Sequence, residues 1–385
     1  MGARSSNTNR KGDRSQSLNR LFDGHAANFF NSNLNAGTIG PNQSAGPAVE
    51  ASGGNIDGLE PGNGYKYFVF TSPGTFTLSA VDDAGTDFDF LVVGGGGGGG
   101  GQHAAGGGAG GVLHGEGIPL AVGSYTVTCG GGGAGALVTP PGNGTCTYAA
   151  QADSSYLGLP GTPTVQWTGI GGGGAFSGGR SGSTGPSPLN YGSSPPTYPT
   201  LPSAGMGGPG GSGGGAGAPY HYPTGTPNPG GEGIQAPENG ATGYGNDGAP
   251  NQSGDTSPTY WGGGGGAGGA GTAGPEPDVP GSQGGPGQPF PAFAGSLFPT
   301  MPAPWISATG PTGLYGGGGG RGGTTGSSQS SGGPGGGGEG GAGPNPGTVG
   351  GFGVDNTGGG GGGSGGMGAA GGDGGNGIVM IRFEV

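Results

Sequence analysis

Apolar and polar positions follow three different rules along this 385-residue chain. Near the start, Leu18, Leu21, Phe22, Ala26, Phe29, Phe30 and Leu34 step by three, one, four, three, one and four, which is one face of a helix, with Ser17 placed as its N-cap. The spacing predicts a short amphipathic helix. Its apolar face either packs on its own domain or docks on a partner. The polar residues 36–58, rich in glycine, asparagine and serine, read as a tether behind it.

The second rule is alternation. Tyr65 to Phe70 and Thr75 to Ser79 are strand-like and flank Thr71-Ser72-Pro73-Gly74, whose Pro73 and Gly74 suit the centre of a turn, so this stretch predicts a β-hairpin. Asp87 to Val93 places Phe88, Phe90 and Val92 on one face, and Pro119 to Cys129 repeats that grammar. A last strand is predicted over Gly377 to Val385. If the terminal strand pairs with the early ones, both ends of the intervening chain are rooted in one small sheet.

The third rule is glycine without alternation, in tracts such as Gly94 to Gly101, Gly262 to Gly266, Gly316 to Gly320 and Gly358 to Gly363. Glycine accounts for 117 residues and proline for 36, far above average usage. Collagen is excluded, because unbroken tracts ignore its three-residue glycine period. Charge-driven disorder fits poorly with 8% charged and 8% aromatic residues. Ordered glycine can form a left-handed threefold helix rising about 3.1 Å per residue, with every N–H and C=O turned outward to neighbouring helices. Satisfied backbone groups then replace a hydrophobic core. Strands that run directly into glycine tracts therefore predict an all-β fold, a small β-sandwich with glycine-rich loops and a bundle of polyglycine helices. The expected organisation is an anchoring arm with its short helix at 1–36, a linker at 37–64 and the glycine-rich body at 65–385.

Charge is uneven. The net charge is −12, yet Arg4, Arg10, Lys11, Arg14 and Arg20 face Asp13 alone in the first twenty residues. An acidic body argues against nucleic-acid binding by the main domain; the basic leader is either a solvated extension or a contact for an acidic partner. Cys129 and Cys146 make one candidate pair across a hairpin, and free thiols are the favoured reading. The chain shows neither an apolar run of membrane-spanning length nor the apolar segment of a secretory signal at its start, which leads us to expect synthesis in a cytoplasm.

Sites for chemistry are sparse. GxGxxG recurs through composition alone, and a phosphate loop would need a lysine after the glycines, where Lys11 and Lys66 do not lie. Asp82, Asp83, Asp87 and Asp89 could hold calcium, but Asp87 and Asp89 alternate with Phe88 and Phe90 as a strand's solvent face would. His25, His103, His114 and His221 show no ligand spacing. No metal, cofactor or catalytic set is expected.

Tyr67 to Thr77, Phe90-Leu91-Val92-Val93-Gly94, Gly110-Gly111-Val112, Gly123 to Thr128 with its glycine run, and Gly374 to Arg382 together resemble the glycine-rich domain of bacteriophage tail-fibre and virion-surface proteins. The likeness covers roughly residues 65 to 385. It extends to distal adhesins of T-even-type phages and to the glycine-rich region of certain receptor tyrosine kinases, whose kinase and membrane parts this chain lacks. The middle departs from that family, with heavier proline and tyrosine. The resemblance implies a virion-surface location, a non-enzymatic role, a homo-oligomer such as a trimer, and loops at the tip of the bundle that contact a host receptor, either protein or glycan.

Bulky residues between the glycine tracts supply the candidates for that contact: Tyr191, Tyr198, Tyr220, His221, Tyr222, Tyr244, Tyr260, Trp261, Phe293 and Tyr315. Stiff aromatic and proline-rich loops offer contact area at low entropy cost; the alternative is that they cap the bundle, which Phe290, Phe298 and Trp305 favour. Leu18, Leu21, Phe22, Phe29, Phe30 and Leu34 are the candidates for anchoring to other virion proteins. Three readings follow: a tail-fibre-type adhesin, a capsid decoration or head-fibre protein, or a disordered glycine-rich cell-wall or scaffold protein.

Overall fold

The computed structural model describes residues 48–82, 86–139, 145–158, 166–177, 206–217, 228–251, 261–273, 283–323, 330–343, 347–366 and 368–385. The predicted N-terminal helix and its anchoring residues Leu18, Leu21, Phe22, Phe29, Phe30 and Leu34 lie outside them. The fold is all-β. One antiparallel sheet contains, in spatial order, Glu50–Ser52 (β1), Gly74–Ala80 (β4), Gly123–Thr128 (β7), Ser155–Gly158 (β10) and Gln166–Gly169 (β11). The second contains Thr242–Tyr244 (β12), Val112–Pro119 (β6), Asp87–Val93 (β5), Ile378–Glu384 (β15), Tyr65–Phe70 (β3) and Ile56–Leu59 (β2). Two small pairs complete the strands: Val138–Thr139 (β8) with Thr145–Cys146 (β9), and Gln288–Pro289 (β13) with Leu314–Tyr315 (β14).

Alternation explains how the sheets meet. Phe68, Phe70, Phe88, Phe90, Val92, Val379, Ile381 and Phe383 of the second sheet bury against Phe76, Leu78, Tyr125, Val127, Leu157 and Trp167 of the first. Each fully buried side chain of this size contributes about 2–3 kcal/mol. The terminal strand does return to the early ones: β15 lies between β3 and β5, with Met380 opposite both Val69 and Leu91.

The expected hairpin at 65–80 is corrected. β3 and β4 are consecutive in sequence but belong to opposite sheets, so Thr71 to Gly74 forms an arch between layers. Phe68 and Phe76 meet across the gap with ring centroids 5.2 Å apart. Inward alternation is the same for a hairpin and an arch, and only the choice of partner separates them. Residues assigned to the linker also take part: β1 pairs with β4 and β2 with β3, as short edge strands with irregular register. The compact unit accordingly spans Val49–Val385.

The second sheet is covered on its outer face as well. Tyr67, Val69, Leu91, Val93, Val112, Ile378 and Met380 pack under Phe290, Phe293, Phe298, Met301, Trp305 and Tyr315. These covering residues come from 290–315, which holds two 3-10 turns and a seven-residue helix, α1 (Ala303–Thr309). The polar handles of the buried rings are satisfied: Trp305 donates Nε1–H to the Asn356 carbonyl at 2.9 Å, and Tyr315 donates its hydroxyl to the Phe293 carbonyl at 2.9 Å. At the margin of this face Arg382 donates from Nε and Nη2 to Asp89 Oδ2 at 3.0 and 2.7 Å and stacks 3.9 Å from the Tyr65 ring centroid.

The glycine tracts leave the sheets and bond to one another with a period of three. Gly94, Gly97 and Gly100 donate to the carbonyls of Gly111, Gly108 and Ala105; Gly95 and Gly98 donate to Asp153 and Ala150; Gly96 and Gly99 donate to Gly375 and Gly372. The carbonyls repeat the pattern, accepting from Gly172 and Ala175, from Gly133 and Ala136, and from Gly361 and Ser364. A strand alternates with a period of two; here the bonding direction turns by a third at each residue. The tract is surrounded by antiparallel segments that accept its N–H groups and parallel segments that donate to its carbonyls. Segments 104–111 and 358–364 bond with the same three-residue period, to parallel and antiparallel neighbours in other combinations.

Candidate binding face at the end of the glycine segments

Connectivity sorts the segments into outgoing and returning ones. Residues 94–101 follow β5 outward and 104–111 return to β6; 130–137 follow β7 and 147–153 return to β10; 170–176 follow β11. Their outer ends are level with one another. Ala105 donates to the Phe176 carbonyl, Ala104 to Ser364, Gly322 to Ala104, Gly371 to Ala136, Gly262 to Ala216, Ala216 to Ala249 and Asn251 to Asn228. This end is remote from the sheets.

The described part of the end is built on small residues and two large buried rings, Phe176 and Trp261. Ala105, Ala136, Ala149 and Ala175 pack with Trp261, and His103 stacks on Trp261 at 5.5 Å between centroids and 13° between planes. The reversal at Gln102 and His103 uses φ of 58° and 52°, a left-handed conformation uncommon for side-chain-bearing residues. His103 Nδ1 accepts from the Gly366 N–H at 3.2 Å. The Trp261 indole N–H is buried without a hydrogen-bond partner among the described residues, while Leu137 is exposed.

The candidate contact residues separate by place. Of the ten, Trp261 is at the far end. Tyr191, Tyr198, Tyr220, His221, Tyr222 and Tyr260 lie outside the described residues, in the sequence between segment ends. Phe293 and Tyr315 are corrected from contact to core: both are fully buried over the second sheet. Tyr244 is also on the sheet side, half-buried on β12, with its ring edge-on to Phe290 at 5.4 Å. The sequence reading did not single out His103 as part of this end. Its isolation between a glycine tract and Ala104 was the one available signal.

The thiols are free. Cys129 donates from Sγ to the Phe70 carbonyl at 3.1 Å, beside the sheets, and Cys146 sits on β9 at the far end. A glycine segment of about 20 Å lies between them, well beyond disulfide reach. Burial pushes both thiols up to about 12, so they stay protonated. Asp89 is committed to Arg382 and to the Gly117 N–H at 2.9 Å. No group of three metal-ligating side chains occurs among the described residues, and no helix there is long and apolar enough to cross a membrane.

Burial lowers the pKa of both His103 and His114 below 6.5, which gives a stability prediction. The unfolded state binds more protons than the folded state between the lowered values and 6.5, so stability is full above that window and falls as pH drops through it. Thermal melts are expected to show a Tm decrease from pH 7 to pH 5. A variant carrying His103→Gln and His114→Gln should show a smaller decrease; an equal slope would contradict the assignment.

A family model described as a glycine-rich domain matches residues 71–290. Among curated proteins, none matches the chain.

Proposed function

The chain belongs to the glycine-rich domain family, and from that premise we propose that it is a non-enzymatic virion surface protein, a tail-fibre-type adhesin. In this reading the tracts are polyglycine helices, a reading supported by the three-residue repeat of their bonds and by the absence of positive φ through Gly94–Gly101. The observation that carries the proposal is the common far end. Outer residues of several segments bond to one another there and His103 stacks on Trp261; in this reading the tyrosine- and proline-rich stretches of the sequence, including Tyr191, Tyr198, Tyr220, His221, Tyr222 and Tyr260, supply the contact with a host receptor, protein or glycan. Binding on rigid supports loses little conformational entropy. The basic arm at 1–36 would anchor the protein to other virion proteins, in a homo-oligomer, with a trimer the arrangement that fibres favour.

Adsorption competition tests this. Purified protein should block phage attachment to the host. Replacing residues 178–205 by a short glycine-serine linker should reduce the block by tenfold or more while shifting Tm by no more than about 2 °C, if that stretch serves contact and not the fold. Wild-type protein that fails to compete would favour a capsid decoration role. A linker variant that competes fully would remove this stretch from the contact.

A further inference from the structure

The 347–354 segment forms an outer flank of the bundle with a face of its own. Thr348 donates to the Ala342 carbonyl, Gly351 to Glu339 and Val354 to Gly336; Gly350 and Gly353 donate to Ala370 and Asp373. The remaining direction of the threefold pattern belongs to Val349 and Phe352. Their N–H groups make no hydrogen bond among the described residues, and their side chains are 53% and 65% exposed, with Phe352 the most exposed large apolar residue described. Three residues apart, they share one face.

Charge around that face is of one sign. Gly351 and Gly353, on either side of Phe352, bond to the backbones of Glu339 and Asp373. Both acids are exposed, as is Asp355 at the segment's end. Among the described residues the cations are otherwise placed: Lys66 pairs with Glu60, Arg382 pairs with Asp89, and Arg321, beside Gly340, is buried rather than on this exposed face. A second copy meeting through this face would bring carboxylates against carboxylates, which disfavours self-pairing.

We propose that the outer face of residues 347–354 is a docking strip for an extended peptide segment of a partner protein, one that carries Lys or Arg beside apolar residues spaced three apart. The partner's carbonyls would accept from the N–H groups of Val349 and Phe352, its apolar side chains would cover these two residues, and its cations would lie over Glu339, Asp355 and Asp373. The mode is strand addition transposed from a period of two to a period of three. It is independent of the far-end contact and uses different residues.

Fluorescence anisotropy with the full chain tests it, using a labelled nine-residue peptide in which phenylalanines three apart alternate with arginines. Saturable binding is expected, weakened tenfold or more by Phe352→Ser or Val349→Ser and several-fold by Glu339→Gln. Val122→Ser, which removes an equally exposed side chain beside the sheets, should leave it unchanged. Equal binding by Phe352→Ser, equal binding of a peptide with glutamates in place of arginines, or an equal loss in Val122→Ser would each overturn the proposal. Self-association that Phe352→Ser abolishes, without peptide binding, would overturn it in favour of a second copy.

Discussion

Gly98→Val is expected to destabilise the protein by about 3 kcal/mol or more, lowering Tm by roughly 5 °C or more. Gly98 donates to the Ala150 carbonyl at 2.9 Å and accepts from the Ala175 N–H at 3.0 Å. A Cβ built on it would collide with the Ala134 carbonyl oxygen, with the Ala134 carbonyl carbon at 2.6 Å and the Gly135 nitrogen at 2.9 Å. These neighbours are backbone groups already held in their own hydrogen bonds. They cannot rotate aside as a side chain would, and moving them breaks bonds of the adjoining segments. Gly131 is the control, since its Cβ would meet only the Asp153 carboxylate at 3.5 Å; Gly131→Ala should stay within about 0.5 kcal/mol of wild type. Differential scanning calorimetry of the two variants decides the matter. Matched melting temperatures would mean that the interior of the glycine bundle does not support the fold.

Removing residues 378–385 is expected to abolish cooperative folding altogether. β15 contributes Val379, Ile381 and Phe383 to the core between the sheets, and Ile378 and Met380 to the layer under Trp305 and Tyr315. Five buried apolar side chains at about 2 kcal/mol each approach the whole stability of a typical domain. The deletion also leaves β3 and β5 facing each other across an empty strand position. Loss of the near-ultraviolet circular dichroism signal and of a sharp melt is the expected result; a native-like melt would contradict the central place of this strand.

Much of the β framework was legible from side-chain pattern. The strands around Phe68, Phe76, Phe90, Tyr125 and Ile381 are where alternation or a short apolar run locates them. Partner choice was not legible. The turn at Pro73 and Gly74 looks the same whether it closes a hairpin or crosses between sheets, because inward-facing Phe70 and Phe76 satisfy either arrangement. Short edge strands such as β1 and β2 carry too few buried positions to rise above a polar linker. The third layer left a signal that was not used: Tyr67 to Phe70 and Ile378 to Ile381 are continuously apolar, the mark of a strand buried on both faces. That pattern requires a cover for the outer face, and the aromatics of 290–315 supply it. The sequence does not separate Phe293 and Tyr315 from contact residues, because proline and aromatic content describes stiff loops and covering loops alike; in the fold both join Phe290, Phe298 and Trp305 in the cover.

Composition determined that this chain must satisfy its backbone without many side chains, and the apolar pattern placed strands at both ends of the glycine-rich body. Tertiary structure decided which tract lies beside which, and that outer residues such as Ala105 and Phe176 or Ala136 and Gly371 meet away from the sheets. The reason is physical. A side chain marks its residue with a size, a charge and a direction, so a strand's partner face can be read from its pattern. Glycine residues in a tract are all alike, and the tract's neighbours are fixed only by where the sheets root each segment and by the requirement that every N–H find a carbonyl.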